Sequence, residues 1–261
     1  MPLFLQRALA AGIITSILCA FVGVFVITRK MAFFANAVAH SSLTGIAIGF
    51  LANTNPFWSA IGFGALVGIG IGYLYRKSVL FIDTVIGIFL PSSMALGIIL
   101  IGFVKGYKPS LLSYLFGDIL AVTNSDLYII SVLSLISFIF LIAFFHEIII
   151  IALDEDWARV KGVAVNPIDY TFFVILSLII VVSTKIVGII LVSALIVIPP
   201  ASAMNVARNF KETMIYSILF GIVSAILGIW FSYLFNISTG PSIVITASII
   251  FAITLIARRK K

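Results

Sequence analysis

Charge is scarce in this chain. Asp, Glu, Lys and Arg together make up 10% of its 261 residues, against about 25% in soluble globular domains. That excludes an ordinary water-soluble surface. Cysteine occurs once, at Cys19, so no intramolecular disulfide can form. Cys19 itself reads as a small buried apolar residue. Histidine occurs twice, at His40 and His146. With only two histidines, on different spans, and no H-E-x-x-H, the sequence argues against an intramembrane catalytic zinc centre. The chain also lacks G-x-x-x-x-G-K-[ST], so it carries no phosphate-binding loop for nucleotide hydrolysis.

What is there is apolar. Hydrophobic residues form 62% of the chain, and the mean hydropathy is +1.29. This is the composition of an integral membrane protein. The first apolar segment has no basic cluster before it and no A-x-A cleavage site, so it reads as a spanning helix rather than a signal peptide. No polar stretch is long enough for a second domain, which leaves one transmembrane domain over 1–261.

A spanning helix needs about 20 apolar residues. Nine segments qualify: 4–28, 32–52, 56–75, 82–104, 125–150, 167–184, 186–206, 213–235 and 241–257. The sixth and seventh are close enough to turn as a tight pair at Lys185-Ile186, so the expected fold is an all-α polytopic transmembrane helix bundle of eight to nine spans. With the amino terminus outside, 12 of the 16 basic residues fall on inside connections, and the carboxyl terminus is cytoplasmic. The net charge of +7 therefore reports topology and lipid, not nucleic acid.

Small residues repeat every four positions at Gly45 and Gly49, and at Gly64, Gly68 and Gly72. That spacing lets helices approach closely in a membrane. Gly68 through Gly72 sits inside a span, which rules out a dinucleotide fingerprint. Pro91 falls in the fourth span. Pro199 and Pro200 are expected to break the seventh, leaving carbonyls one turn earlier without donors. Either a packing kink or a pore-lining hinge fits them.

One ionisable residue stands at membrane depth. His40 lies ten residues past Lys30, about 15 Å along a helix, near the bilayer midplane. Such residues are costly in lipid and default to a functional reading. Asn36, one turn earlier, shares its face. Thr44 continues that face and Ser41 flanks it, giving a polar stripe amid apolar neighbours. The competing reading is a histidine hydrogen-bonded within the bundle.

The longest polar stretch runs from Asp154 to Gly162. Acids come first, bases last, and glycine closes it. That order suits the helix dipole and supplies both a cap and a stop. A short helix over about 153–162 is expected between spans five and six. Trp157 among charges suggests an interface as readily as a solvated loop.

Five blocks carry a resemblance. They are Met31 through Leu43, Ile82 through Ile88, Ser113 through Thr123, Gly188 through Ala201, and Thr239 through Ser242. In this order they resemble the membrane permeases of bacterial ABC importers for zinc, manganese and iron, with the zinc-uptake permeases nearest. The resemblance implies a homodimeric pore above two ATP-binding cassette subunits. It also implies an extracytoplasmic metal-binding protein that delivers the ion. No cofactor would be resident; the divalent metal, zinc first, is cargo. Asp156, Trp157, Ala158 and Gly162 would then belong to a coupling helix, where importer permeases carry Glu-Ala-Ala-x-x-x-Gly. The family also places an Asp-x-x-x-His pair on the second span as a metal site. His40 matches it, and Asn36 replaces the acid.

The remaining polar residues read structurally. Asp83 suits a helix start. His146 and Glu147 are sequence neighbours and make a poor chelate. Thr123 or Ser125 with Asp126 forms a cap. Asp118 would greet an incoming cation or the delivery protein at the outer face, beside Lys105, Tyr107 and Lys108. The alternative to an ATP-driven permease is a secondary transporter with His40 as proton relay.

Overall fold

A computed structural model describes residues 3–104 and 122–257. Among them the chain is helical, with no strand. The helices are α1 (Leu3–Thr28), α2 (Phe34–Leu51), α3 (Pro56–Lys77), α4 (Ile82–Phe103), α5 (Asn124–Ala143), α6 (Phe145–Leu153), α7 (Glu155–Val160), α8 (Val165–Val187), α9 (Ile189–Val206), α10 (Phe210–Phe235) and α11 (Thr239–Ile256). Nine of these are long and apolar enough to cross a membrane. Hydrocarbon offers no partner to a peptide group, so a crossing segment must satisfy its own backbone.

Polar residues at the ends start and stop the helices. Asn55 accepts a hydrogen bond from the Phe57 N–H at 3.0 Å, with Pro56 opening α3. Asn209 caps α10 by accepting from the Glu212 N–H, and the Glu212 carboxylate accepts in return from the Asn209 side-chain amide. Thr123 and Asp126 do the same before α5. Asp83 lies in the first turn of α4.

Two boundaries differ from the sequence expectation. The run 125–150 is not one helix. It stops at Ala143 and restarts at Phe145, with Phe144 at φ −105° and ψ 25°. Leu141 through Phe145 are all apolar, so hydropathy does not register a one-residue break there. The turn expected at Lys185-Ile186 lies instead at Gly188. Its φ of +86° is left-handed territory that only glycine enters freely.

The chain falls into two compact units. One comprises the described parts of Thr28–Ser110 and Leu135–Val182. There α2 packs on α3 and α4. The glycine rows make the contacts. A Cβ on Gly45 would come within 2.6 Å of the Ala60 Cα, and one on Gly49 within 2.7 Å of the Pro56 Cα. Gly64, Gly68 and Gly72 line α3 where Val181, Ser177 and Phe173 of α8 rest.

The other unit comprises the described parts of Met1–Ile27, Leu111–Ser134 and Ser183–Lys261. There α9, α10 and α11 pack on one another. Ser217 donates to the Ala20 carbonyl at 2.8 Å, tying α10 to α1. Lys185 and Asp126 pair at 2.6 Å.

Gly228 is the tightest test of this packing. A Cβ there would lie 2.5 Å from the Ile243 Cα and 2.8 Å from its N, which are backbone atoms that cannot turn aside. We expect Gly228→Ala to destabilise the protein by about 1–3 kcal/mol through overpacking. Gly62, whose Cβ position meets no described residue beyond its own helical turn within 4 Å, serves as the control. Gly62→Ala should stabilise instead, by up to about 1 kcal/mol of helix propensity. Thermal midpoints in detergent check both signs.

Candidate functional site

Helix α2 is shaped by what packs on it. Its buried face presses against α3 and α4, and Asn36 and His40 fall on the half-buried remainder. His40 Nδ1 is itself buried and has no hydrogen-bond partner among the described residues. The polar stripe therefore divides. Ser41 and Thr44 are fully buried against α4. Ser41 Oγ donates to Ser93 Oγ at 2.7 Å, and Thr44 Oγ1 donates to the Ser93 carbonyl at 2.5 Å. A Cβ on Gly97 would come within 2.6 Å of Thr44 Oγ1. These two hydroxyls set the rotation of α2 about its axis, which in turn sets where the imidazole points.

Among the described residues no three His, Cys, Asp or Glu side chains converge as a metal cluster. His146 is exposed on α6 and Glu147 sits in that helix's first turn. Asp118, like Lys105, Tyr107 and Lys108, lies outside the described residues.

Pro199 and Pro200 are buried in α9, which continues through both to Val206. The expected break does not occur. Pro200 removes the donor for the Ile196 carbonyl. Gly23 of α1 lies directly against that carbonyl, and a Cβ there would also come within 2.8 Å of Pro200 Cγ. Close packing of a glycine backbone fills the place of the lost turn and keeps the helix whole.

The short polar helix is present as α7. Asp154 caps it by accepting from the Trp157 N–H at 3.0 Å. Gly162 ends it at φ +80°, a conformation its neighbours could not adopt without strain. Ala158 is fully buried beneath the helix. Trp157 is 47% exposed, with the Lys161 ammonium 4.0 Å above its ring. Asp156 and Val160 face outward.

An ionic network lies behind this helix. Asp169, on the first turns of α8, is 1% exposed. Its Oδ1 accepts from Arg29 and its Oδ2 from Arg76. Arg76 also donates to Glu155 Oε1 at 3.1 Å and to Asn166 Oδ1 at 2.6 Å. Arg159 reaches the same two acceptors, at 2.7 and 3.2 Å. A cleft of about 890 Å3 opens beside it, lined by Arg29, Lys30, Arg76, Lys77, Glu155 and Arg159. In the sequence Arg29 and Arg76 mark topology, Arg159 also closes the short polar helix, and Asp169 carries no signal of its own beyond its place. The available signal was a carboxylate just inside an apolar segment, at 169 in a span drawn from 167.

The chain matches the family model described as the ABC 3 transport family over residues 1–258. It belongs to that family. Among curated relatives it is similar to the manganese transport system membrane protein MntC of Listeria monocytogenes, 35% identical over 258 residues, covering 99% of this chain and 92% of the relative. It is also similar to the high-affinity zinc uptake system membrane protein ZnuB of Haemophilus influenzae, 31% identical over 253 residues, with 97% of each covered. Among solved structures it is similar to PsaBC from Streptococcus pneumoniae. The TM-score is 0.84 at 37% identity, covering 97% of this chain and 91% of that one. The ABC 3 transport family relatives are membrane proteins of matching length, and this chain is a multi-pass membrane permease of the same kind.

Within this permease, Glu155 gives a pH handle. Burial alone would raise its carboxyl, but the Arg159 hydrogen bond and the charges of Arg76 and Arg159 outweigh that and hold it below the ordinary glutamate range. A carboxylate depressed on folding stabilises the folded state above its unfolded value. That contribution is lost as pH falls through the lowered value. In a variant keeping Trp157 as sole tryptophan, we expect its fluorescence to change only on acidification below the ordinary glutamate range. Glu155→Gln should abolish that transition.

Proposed function

We propose that this chain is the permease subunit of an ATP-driven importer of divalent transition metal. The observation that carries the reading is His40, on a membrane helix with Nδ1 buried and unpaired among the described residues. A neutral imidazole with a free ring nitrogen is a ready ligand for a transition metal. Family membership supports the transport class. Relatives named for manganese transport and for zinc uptake support the cargo class.

One chain supplies an imidazole and the Asn36 amide oxygen. A twofold homodimer doubles that set to two imidazoles and two amides around its axis. This donor set favours zinc over manganese on intrinsic affinity. The amino terminus lies outside and the carboxyl terminus in the cytoplasm, following the positive-inside bias. On that orientation α7 faces the cytoplasm and serves as the coupling helix, with Asp156, Trp157, Ala158 and Gly162 contacting an ATP-binding cassette subunit. Asp118 and its neighbours face the extracytoplasmic delivery protein.

The test is uptake of zinc and of manganese into vesicles holding the permease with its ATPase and delivery protein. Uphill uptake should require ATP. We expect His40→Ala to lower it by about 10–100-fold, the range typical of damage to a metal site, while assembly with the ATPase persists. Normal uptake by that variant would remove His40 from the path. Uptake by the permease alone that follows a proton gradient would establish a secondary transporter instead.

A further inference from the structure

We propose that Asp169 is a positioning residue that joins the coupling helix α7 to the start of α2, so that the two move as one piece. The proposal rests on the transport reading above. Its geometry stands within a single compact unit.

The link is continuous. Glu155, at the start of α7, accepts from Arg76 at the end of α3. Arg76 donates to Asp169 Oδ2, and Asp169 Oδ1 accepts from Arg29. Arg29 lies five residues before α2 begins. Its guanidinium sits 4.9 Å above the Phe172 ring and 5.8 Å from that of Phe173. Phe173 packs on Phe34 at 5.6 Å, and Phe34 is the fully buried first residue of α2. Asn36 and His40 follow on the same helix. Asp169 is the member of this link that touches both guanidinium groups, so removing it opens the ionic part of the link between Arg76 and Arg29.

The chemistry argues against stability as the reason for this arrangement. Buried ion pairs contribute little over well-packed apolar residues of similar volume, and their best-attested use is to specify one geometry. A chain with only nine acidic residues places two of them, Glu155 and Asp169, in this chain of contacts.

The test uses full-length protein in nanodiscs, with Cys19→Ser and spin labels at Phe33→Cys and Val160→Cys, both exposed positions. Distances between the labels are measured by pulsed electron resonance. Wild type should show one narrow distribution. Asp169→Asn should broaden it, and Asp169→Glu should restore it. Should Asp169→Asn fold poorly, the charge-compensated pair Arg29→Met with Asp169→Leu decides. It should keep the thermal midpoint yet broaden the distribution. In the complete transporter the same variants should lower metal uptake per ATP hydrolysed by about fivefold or more. An unchanged narrow distribution in Asp169→Asn or the double variant overturns the proposal, whatever transport does. Broadening as expected with no metal uptake by wild type upholds Asp169 and overturns the transport reading.

Discussion

The carboxylate of Asp169 faces two guanidinium groups, and all three side chains are largely buried. Each desolvated ion costs several kcal/mol even after the surroundings relax. The three charges can stay buried only because each satisfies another. Glu155 supplies the second negative charge, which Arg76 shares with the more exposed Arg159. The ends of α3 and α8, the residue after α1 and the whole of α7 are fixed by this one requirement. Removing a single partner would leave an unpaired buried charge, which is far worse than never having built the cluster.

Away from that cluster, the bilayer supplies no hydrophobic force between helices, because lipid tails are as apolar as leucine. Close backbone approach must supply the cohesion. The glycine row of α3 receives α8, the pair Gly45 and Gly49 receives the start of α3, and Gly97 receives Thr44. In the other unit Gly23 receives the carbonyl that Pro200 leaves without a donor. The proline pair and the small residue opposite it are one device. Without the glycine, a methyl group would collide with the exposed carbonyl.

Much of this was legible in the chain itself. Apolar runs of spanning length marked the nine described helices that are long and apolar enough to cross a membrane, and the order of charges from Asp154 to Gly162 marked α7 with its cap and stop. Glycine spacing marked the packing faces correctly. What escaped was pairing. A lone Asp at 169 has the same local pattern as Asp83, a helix-start residue. Nothing local distinguishes the one that bridges two arginines from sequence positions 140 and 93 residues earlier. The polar stripe on α2 failed to resolve for a related reason. Helical periodicity groups Asn36, His40 and Thr44 on one face, yet Thr44 is turned into α4 by a hydrogen bond to a residue 49 positions on. Periodicity reports a direction and says nothing of which helix lies there.

The absence of an acid at position 36 bears on how such a site would work. A transport site must bind well enough to capture its ion and weakly enough to release it. A carboxylate beside His40 would add a full charge in a region of low dielectric, where charge interactions are strong. An amide oxygen coordinates without that charge. On the proposed reading, capture then falls to the delivery protein and the outer face, and the mid-membrane pair serves as a brief stop. Such a stop needs its ligand geometry held firmly, since geometry is the part of its affinity that remains adjustable. That is why the rotation of α2 matters. Ser41 and Thr44 fix it against α4, and the buried contact of Phe34 with Phe173 fixes its first turn. A small displacement of α7, carried through Glu155, Arg76, Asp169 and Arg29, would move the imidazole by moving the helix that bears it.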